Sequence, residues 1–312
     1  MEHLVQTIKP LNECMYCGAM EDLTDEHIIP YALWGDIILP KSSCKSCAEI
    51  TSKIERKVLK GFMQDTRNVA NAPSRRKNKR PKSVERILLN QDSTSIQKTF
   101  YIDETYSILT VPEFSKATIF GGESITQGIN VIGHQQLAFG VNMLEFLDNN
   151  NAQGIQESTS IDVVSFARLL AKIAYGMAVL HNGIFPREEC PILPIILNKS
   201  NDVGFWIGSS NILKYKSESK HLVATKNQKY NFDNVHTRSS IQLFNGSGLT
   251  AFEVAVRVPN WKNIYGKSIS LIDTNNREEN EFYFQSKHTE SYSTLQTDGK
   301  ITVRPSERAP IL

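Results

Sequence analysis

Between Ile161 and His181 apolar residues recur at three- and four-residue spacing: Val163, Phe166, Leu170, Ile173, Ala174 and Met177. That period predicts a long helix. Ala167, Ala171 and Ala178 widen its apolar stripe, so the helix is expected inside a core, packed on a sheet. Arg168 and Lys172 interrupt the run, which argues against a membrane span. Thr159 followed by Asp162 resembles a capping box with Asp in place of Glu. Around this helix the pattern changes to alternation. "RILLN", "TFYID" and "YSILTV" between residues 85 and 112 read as strands. So do "GFWIG", "HLVAT", "SIQLF", "AFEVAVRV", "SISLID" and "EFYFQ" further on, with Trp206 and Trp261 in or beside strands. Residues 113–160 are irregular, with Gly121-Gly122 and "DNNNAQG" marking loops. Near the start, "DEHIIPYALWGDIILP" reads as a hairpin, and Ile50, Ile54, Val58 and Phe62 then take helical spacing.

The chain of 312 residues is long enough for two domains, and its 40% hydrophobic and 22% charged residues are those of a globular protein. Residues 52–86 carry twelve Lys and Arg against three Asp and Glu, while the whole chain has a net charge of only +2. Charge concentrated in one segment suggests a polyanion partner for that region. The densest part is "RRKNKRPK", between Pro73 and the strand pattern that starts near residue 85. The linear organisation expected is a compact unit at residues 1–68, a basic linker or arm at 69–84, and an α+β accessory domain at 85–312. "MEHLVQTIKPLNEC" has no apolar core of the kind a secretory signal needs, and a cytoplasmic protein is expected.

Four of the five cysteines form two C-x-x-C pairs, Cys14/Cys17 and Cys44/Cys47, separated by twenty-six residues. Two such turns supply four thiolates for a closed tetrahedral zinc site, which is structural and keeps no open position. The need is clear, because about sixty residues bury too little apolar surface to be stable alone. A redox C-x-x-C motif would sit in a βαβ pattern, which is absent. Cys190, alone in "PREECPILP", reads as an inert thiol. His3, His134, His181, His221, His236 and His288 lie in no motif and read as structural. His27 differs, because Asp25 and Glu26 precede it inside the zinc frame; Asp25 itself reads as a turn cap.

These residues resemble the HNH endonucleases of the zinc-containing ββα-metal type. The resemblance rests on "CMYCG", "TDEHIIP", the turn glycine of "ALWG" and "CKSCAEITSK", and covers about residues 10–65. It implies a four-cysteine zinc ββα-metal module; with the strand patterns and the long helix read downstream, the expected fold is α+β, that module followed by a larger α+β domain with mainly antiparallel strands around one long helix. It implies phosphodiester hydrolysis with His27 as general base, for which an imidazole of unperturbed pKa ~6.5 is suited. It gives Glu26 as ligand to a catalytic Mg²⁺ or Mn²⁺, distinct from the zinc. The remaining ligand, an Asn or His directly after the last cysteine, is replaced by Ala48, whose methyl group binds no metal. The family's middle Asn is also missing, with Leu39 and Pro40 in its place. Ala48 reads either as an inactivating change made in a nuclease or as the mark of a naturally impaired, DNA-binding zinc module.

Double-stranded DNA is the expected partner, touched through phosphates by Arg75, Arg76, Lys77, Lys79, Arg80 and Lys82. The C-terminal region has no catalytic motif, and a regulatory, targeting or oligomerising role is expected of it. A role in phage defence is an analogy from other stand-alone HNH nucleases.

Overall fold

The structure is a computed structural model that describes residues 8–90, 92, 94–125, 127–156, 159–213, 219–231, 234–265, 292–295 and 300–304. The hairpin strands β1 (Leu23–His27) and β2 (Ile38–Cys44) lead directly into α1 (Lys45–Leu59), followed by the short α2 (Gln64–Val69). Strands β3 (Ser83–Leu89), β4 (Ser95–Tyr101), β5 (Tyr106–Phe114) and β6 (Val131–Gly140) precede α3 (Met143–Asn149). Two short strands, β7 (Gly154–Gln156) and β8 (Thr159–Asp162), enter the long helix α4 (Val163–Asn182). Short helices α5 (Ile192–Ile196) and α6 (Val203–Trp206) then lead into β9 (Ile207–Ser210), β10 (Leu222–Asn231), β11 (Asn234–Gln242) and β12 (Ala251–Arg257). Helix α7 (Trp261–Tyr265) and strands β13 (Tyr292–Leu295) and β14 (Lys300–Arg304) complete the described elements.

The chain forms two compact units, each assembled from separate segments. One contains residues 1–57, 112–133 and 164–271; the other contains 58–111, 134–163 and 272–312. The cysteine-bearing hairpin therefore shares its unit with α4 and with the antiparallel sheet β10-β11-β12-β9.

Helix α4 is the core of the first unit. Phe166, Ala167, Leu170, Ile173 and Ala174 are fully buried. Phe166 meets Phe114 and Phe252 with ring centroids 6.0 and 5.4 Å apart, which fixes the helix against β12. Ser239 of β11 donates to the carbonyl of Ala174. By length and composition α4 could cross a membrane, but 89% of its apolar window is buried inside the protein. Its guanidinium at Arg168 donates to the carbonyls of Ile195 and Ser200 and to Asn201 Oδ1, so that buried charge is solvated by protein.

The second unit has a smaller core of Leu88, Tyr106, Phe146, Leu147 and Ile155, with Phe100 packed against it. Arg86 is buried there, pairing with Asp65 at 2.9 Å and donating to the carbonyl of Tyr106.

Three expectations from the sequence need correction. Thr159 is no helix cap: it lies in β8, paired with Val303, and the helix begins four residues later. The run "GFWIG" is a helical turn before a strand, with Gly204 N–H donating to the carbonyl of Gly128. Residues 113–160 hold β6, α3, β7 and β8 as well as loops. Helix α3 starts where Asn142 Oδ1 accepts from the amides of Leu144 and Glu145, a cap of a kind that sequence can signal. "SISLID", "EFYFQ", His3 and His288 lie outside the described residues.

Candidate metal centre and the histidine hairpin

Cys14, Cys17, Cys44 and Cys47 come together with all four Sγ atoms within 4.8 Å of one another. Four sulfurs around a tetrahedral zinc at ~2.3 Å stand about 3.8 Å apart. The Sγ atoms of Cys17 and Cys44 are 3.6 Å apart. The donor set and spacing fit a structural zinc ion, and all four thiols are free of disulfides.

Local backbone geometry builds the first pair. Gly18 takes φ +86° and donates its N–H to the carbonyl of Cys14, while Cys14 N–H donates to the carbonyl of Ala19. A left-handed residue at this turn is a natural place for glycine. The second pair straddles the junction of β2 and α1. Burial alone would raise the Cys44 thiol. The Ser46 hydroxyl, the Cys47 amide and the neighbouring thiols outweigh it and bring Cys44 to about 6. Burial raises the thiols of Cys17 and Cys47 instead, so a metal binding here would have to displace their protons.

The hairpin that carries His27 is irregular in one place. Thr24 faces Ser43 and Glu26 faces Leu39, so Asp25 opposes three residues of β2. Lys41 within that bulge has φ +46°, and its amide donates to Asp25 Oδ1 at 3.0 Å. Asp25 is thus a backbone cap within the hairpin. His27 is half-buried, and its ring meets Tyr31 edge-on at 6.0 Å.

Glu26 is buried, and no local pattern announces its partner. Its Oε1 lies 2.8 Å from Lys172 Nζ, and the same ammonium lies 3.0 Å from Glu55 of α1. Lys172 also donates to the backbone carbonyls of His27 and Ile28. Burial would lower the ammonium, but the charges of Glu26 and Glu55 outweigh it and raise it. One turn further along α4, Tyr175 donates its hydroxyl to the carbonyl of Met15, in the turn of the first cysteine pair. Gly176 lies opposite Ile28, where an added Cβ would stand 3.4 Å from the isoleucine side chain. Periodicity singles out the helix but not these partners, because Lys172 and Glu26 are 146 positions apart. The available signal is a lysine that, with Arg168, interrupts a largely apolar helical run.

His221 ties down the hairpin's far end. Its Nε2 is 2.7 Å from the carbonyl of Leu33, and its Nδ1 accepts from Phe244 N–H. Lys220 stacks over Trp34 at 3.9 Å.

Ala48 lies in the first turn of α1, half-exposed, with its carbonyl accepting from Thr51 Oγ1. Of the basic arm, in the second unit, Arg75, Arg76, Lys79 and Lys82 are exposed. Arg80 is turned inward, donating to Asn71 Oδ1 and to the carbonyl of Ala72. The side chain of Lys77 lies outside the described residues. Cys190 is buried, and burial followed by the charge of Glu189 pushes its thiol up to about 12, which makes it a poor nucleophile.

Compared with known proteins, the chain matches no family model, no curated protein and no solved structure.

Proposed function

We propose that this chain is an HNH-type protein acting on DNA, in which a zinc-framed hairpin and helix present His27 as general base for phosphodiester hydrolysis. The observation that carries the reading is the order cysteine pair, β1 with Glu26-His27, β2, second cysteine pair, α1, with the four sulfurs gathered at one point. A closed zinc site performs no chemistry itself. It gives a small hairpin the rigidity that a positioned base requires. His27 would take a proton from the attacking water. By the resemblance, Glu26 and the residue at position 48 would hold a Mg²⁺ or Mn²⁺ that supplies charge stabilisation at the phosphate, but here Glu26 is engaged by Lys172 and position 48 is Ala. Position 48 lacks the expected ligand, so the hydrolytic step is impaired in this chain.

A second reading, a zinc-framed DNA-binding or regulatory protein without hydrolysis, is favoured by Ala48 and by the engagement of the Glu26 carboxylate with Lys172. One experiment separates the two. Ala48→Asn should confer Mg²⁺- or Mn²⁺-dependent cleavage of double-stranded DNA, and adding His27→Ala should remove it. DNA binding without cleavage in Ala48→Asn would favour the second reading.

A further inference from the structure

The space between β1, α1 and α4 is lined by four oxygen atoms that converge on one cation. Two are carboxylate oxygens, Glu26 Oε1 at 2.8 Å and Glu55 Oε1 at 3.0 Å. Two are backbone carbonyls, those of His27 and Ile28, the latter at 3.3 Å. The cation is the ammonium of Lys172, whose residue is only 1% exposed. Two carboxylates and two carbonyls are the donors a hard divalent ion selects. Here a lysine supplies the charge instead, and its three N–H groups are shared among four acceptors.

We infer that Lys172 is a built-in cation filling an oxygen-lined site, which makes Glu26 a positioning residue for the His27 strand and not a ligand for a divalent ion. The chemistry follows from burial. To give its Oε1 to a metal, Glu26 would have to release a desolvated ammonium, leaving that buried charge to Glu55 and two carbonyls alone. The same ammonium fixes the carbonyls of His27 and Ile28, so α4 sets the path of the strand that presents the imidazole. Lys172 cannot itself act on a phosphate, because it is enclosed by protein. This assignment rests on the proposed function and replaces the role that the resemblance gives Glu26. Its test uses no DNA, so it can fail while the nuclease reading stands, and the reverse.

The test is Mn²⁺ binding to the full-length, zinc-loaded protein, followed by the electron paramagnetic resonance signal of free Mn²⁺. Wild type and Glu26→Gln should give the same titration, since Glu26 is already engaged. Lys172→Ala should melt lower by roughly 10 °C, because the buried carboxylate of Glu26 and the half-buried one of Glu55 lose their counter-charge. It should also gain saturable Mn²⁺ binding that raises its Tm, and Lys172→Ala/Glu26→Gln should lose that gain. Mn²⁺ binding in the wild type that depends on Glu26 would overturn the inference, as would a folded Lys172→Ala protein that gains none. Should Lys172→Ala fail to fold, the comparison of wild type with Glu26→Gln decides alone.

Discussion

Tyr175, in the middle of the long buried helix α4, donates its hydroxyl at 2.7 Å to the backbone carbonyl of Met15, the residue that follows Cys14 of the four-cysteine cluster. Three residues earlier on the same helix, Lys172 holds the strand of His27. One face of α4 therefore fixes both the cysteine turn and the histidine strand. Loss of order at one should be felt at the other.

Purified protein is accordingly expected to contain one zinc per chain by elemental analysis. Cys44→Ser should unfold the hairpin, since metal binding contributes on the order of 10–16 kcal/mol to folding in comparable small zinc domains. Because Met15 and Tyr16 are buried in the same unit as α4, the effect should spread. Hydrogen exchange should show lower protection in α4 as well as in β1 and β2. Unchanged protection of α4 in a zinc-free protein would contradict the coupling.

The basic arm predicts a salt effect. Neutralising Arg75, Arg76, Lys79 and Lys82 together should weaken DNA binding alike on all sequences. It should reduce the slope of log K against log salt by up to about 3–4, near 0.9 for each phosphate no longer neutralised. Arg80 is left out of the set, because its guanidinium holds the arm through Asn71 and Ala72. A slope unaltered by the four changes would assign the arm to solvent.

His221 predicts a pH effect on stability. Burial, the larger cause, and the charge of Lys220 hold its pKa below the ordinary histidine value, against a raising contribution from its bond to Leu33. Phe244 N–H donates to Nδ1, so the neutral ring must carry its proton on Nε2 and give it to Leu33. The unfolded chain takes up a proton at higher pH than the folded one. Stability is therefore fully present above about pH 6.5 and falls as the pH drops through the unfolded value toward the depressed folded one. His221→Gln offers one N–H and one acceptor without titrating. Its Tm should decline less than that of the wild type between pH 7.5 and 5, to the extent set by this one group. Parallel declines in the two proteins would show that other groups, such as His236, set the acid limit.

Local rules make part of this molecule legible in its sequence. The spacing of Cys14, Cys17, Cys44 and Cys47 specifies a four-sulfur site, because two C-x-x-C turns can hardly do otherwise in a chain that keeps its thiols reduced. Helical and alternating periods locate α1, α4 and most strands, because each pattern reflects which face of its own element is buried. The short apolar run at Gly204–Gly208 is ambiguous, since so few residues cannot distinguish a buried turn from a strand. Folding alone determines which distant groups meet. Lys172 and Glu26 have no local signature as a pair, because an ion pair depends on where the fold brings two charges and not on their spacing in the chain. The same holds for Tyr175 with Met15 and for His221 with Leu33. These three pairings, each made across more than a hundred residues, give the cysteine-bearing hairpin its fixed place in the first unit, and that is a property of packing that no linear pattern encodes.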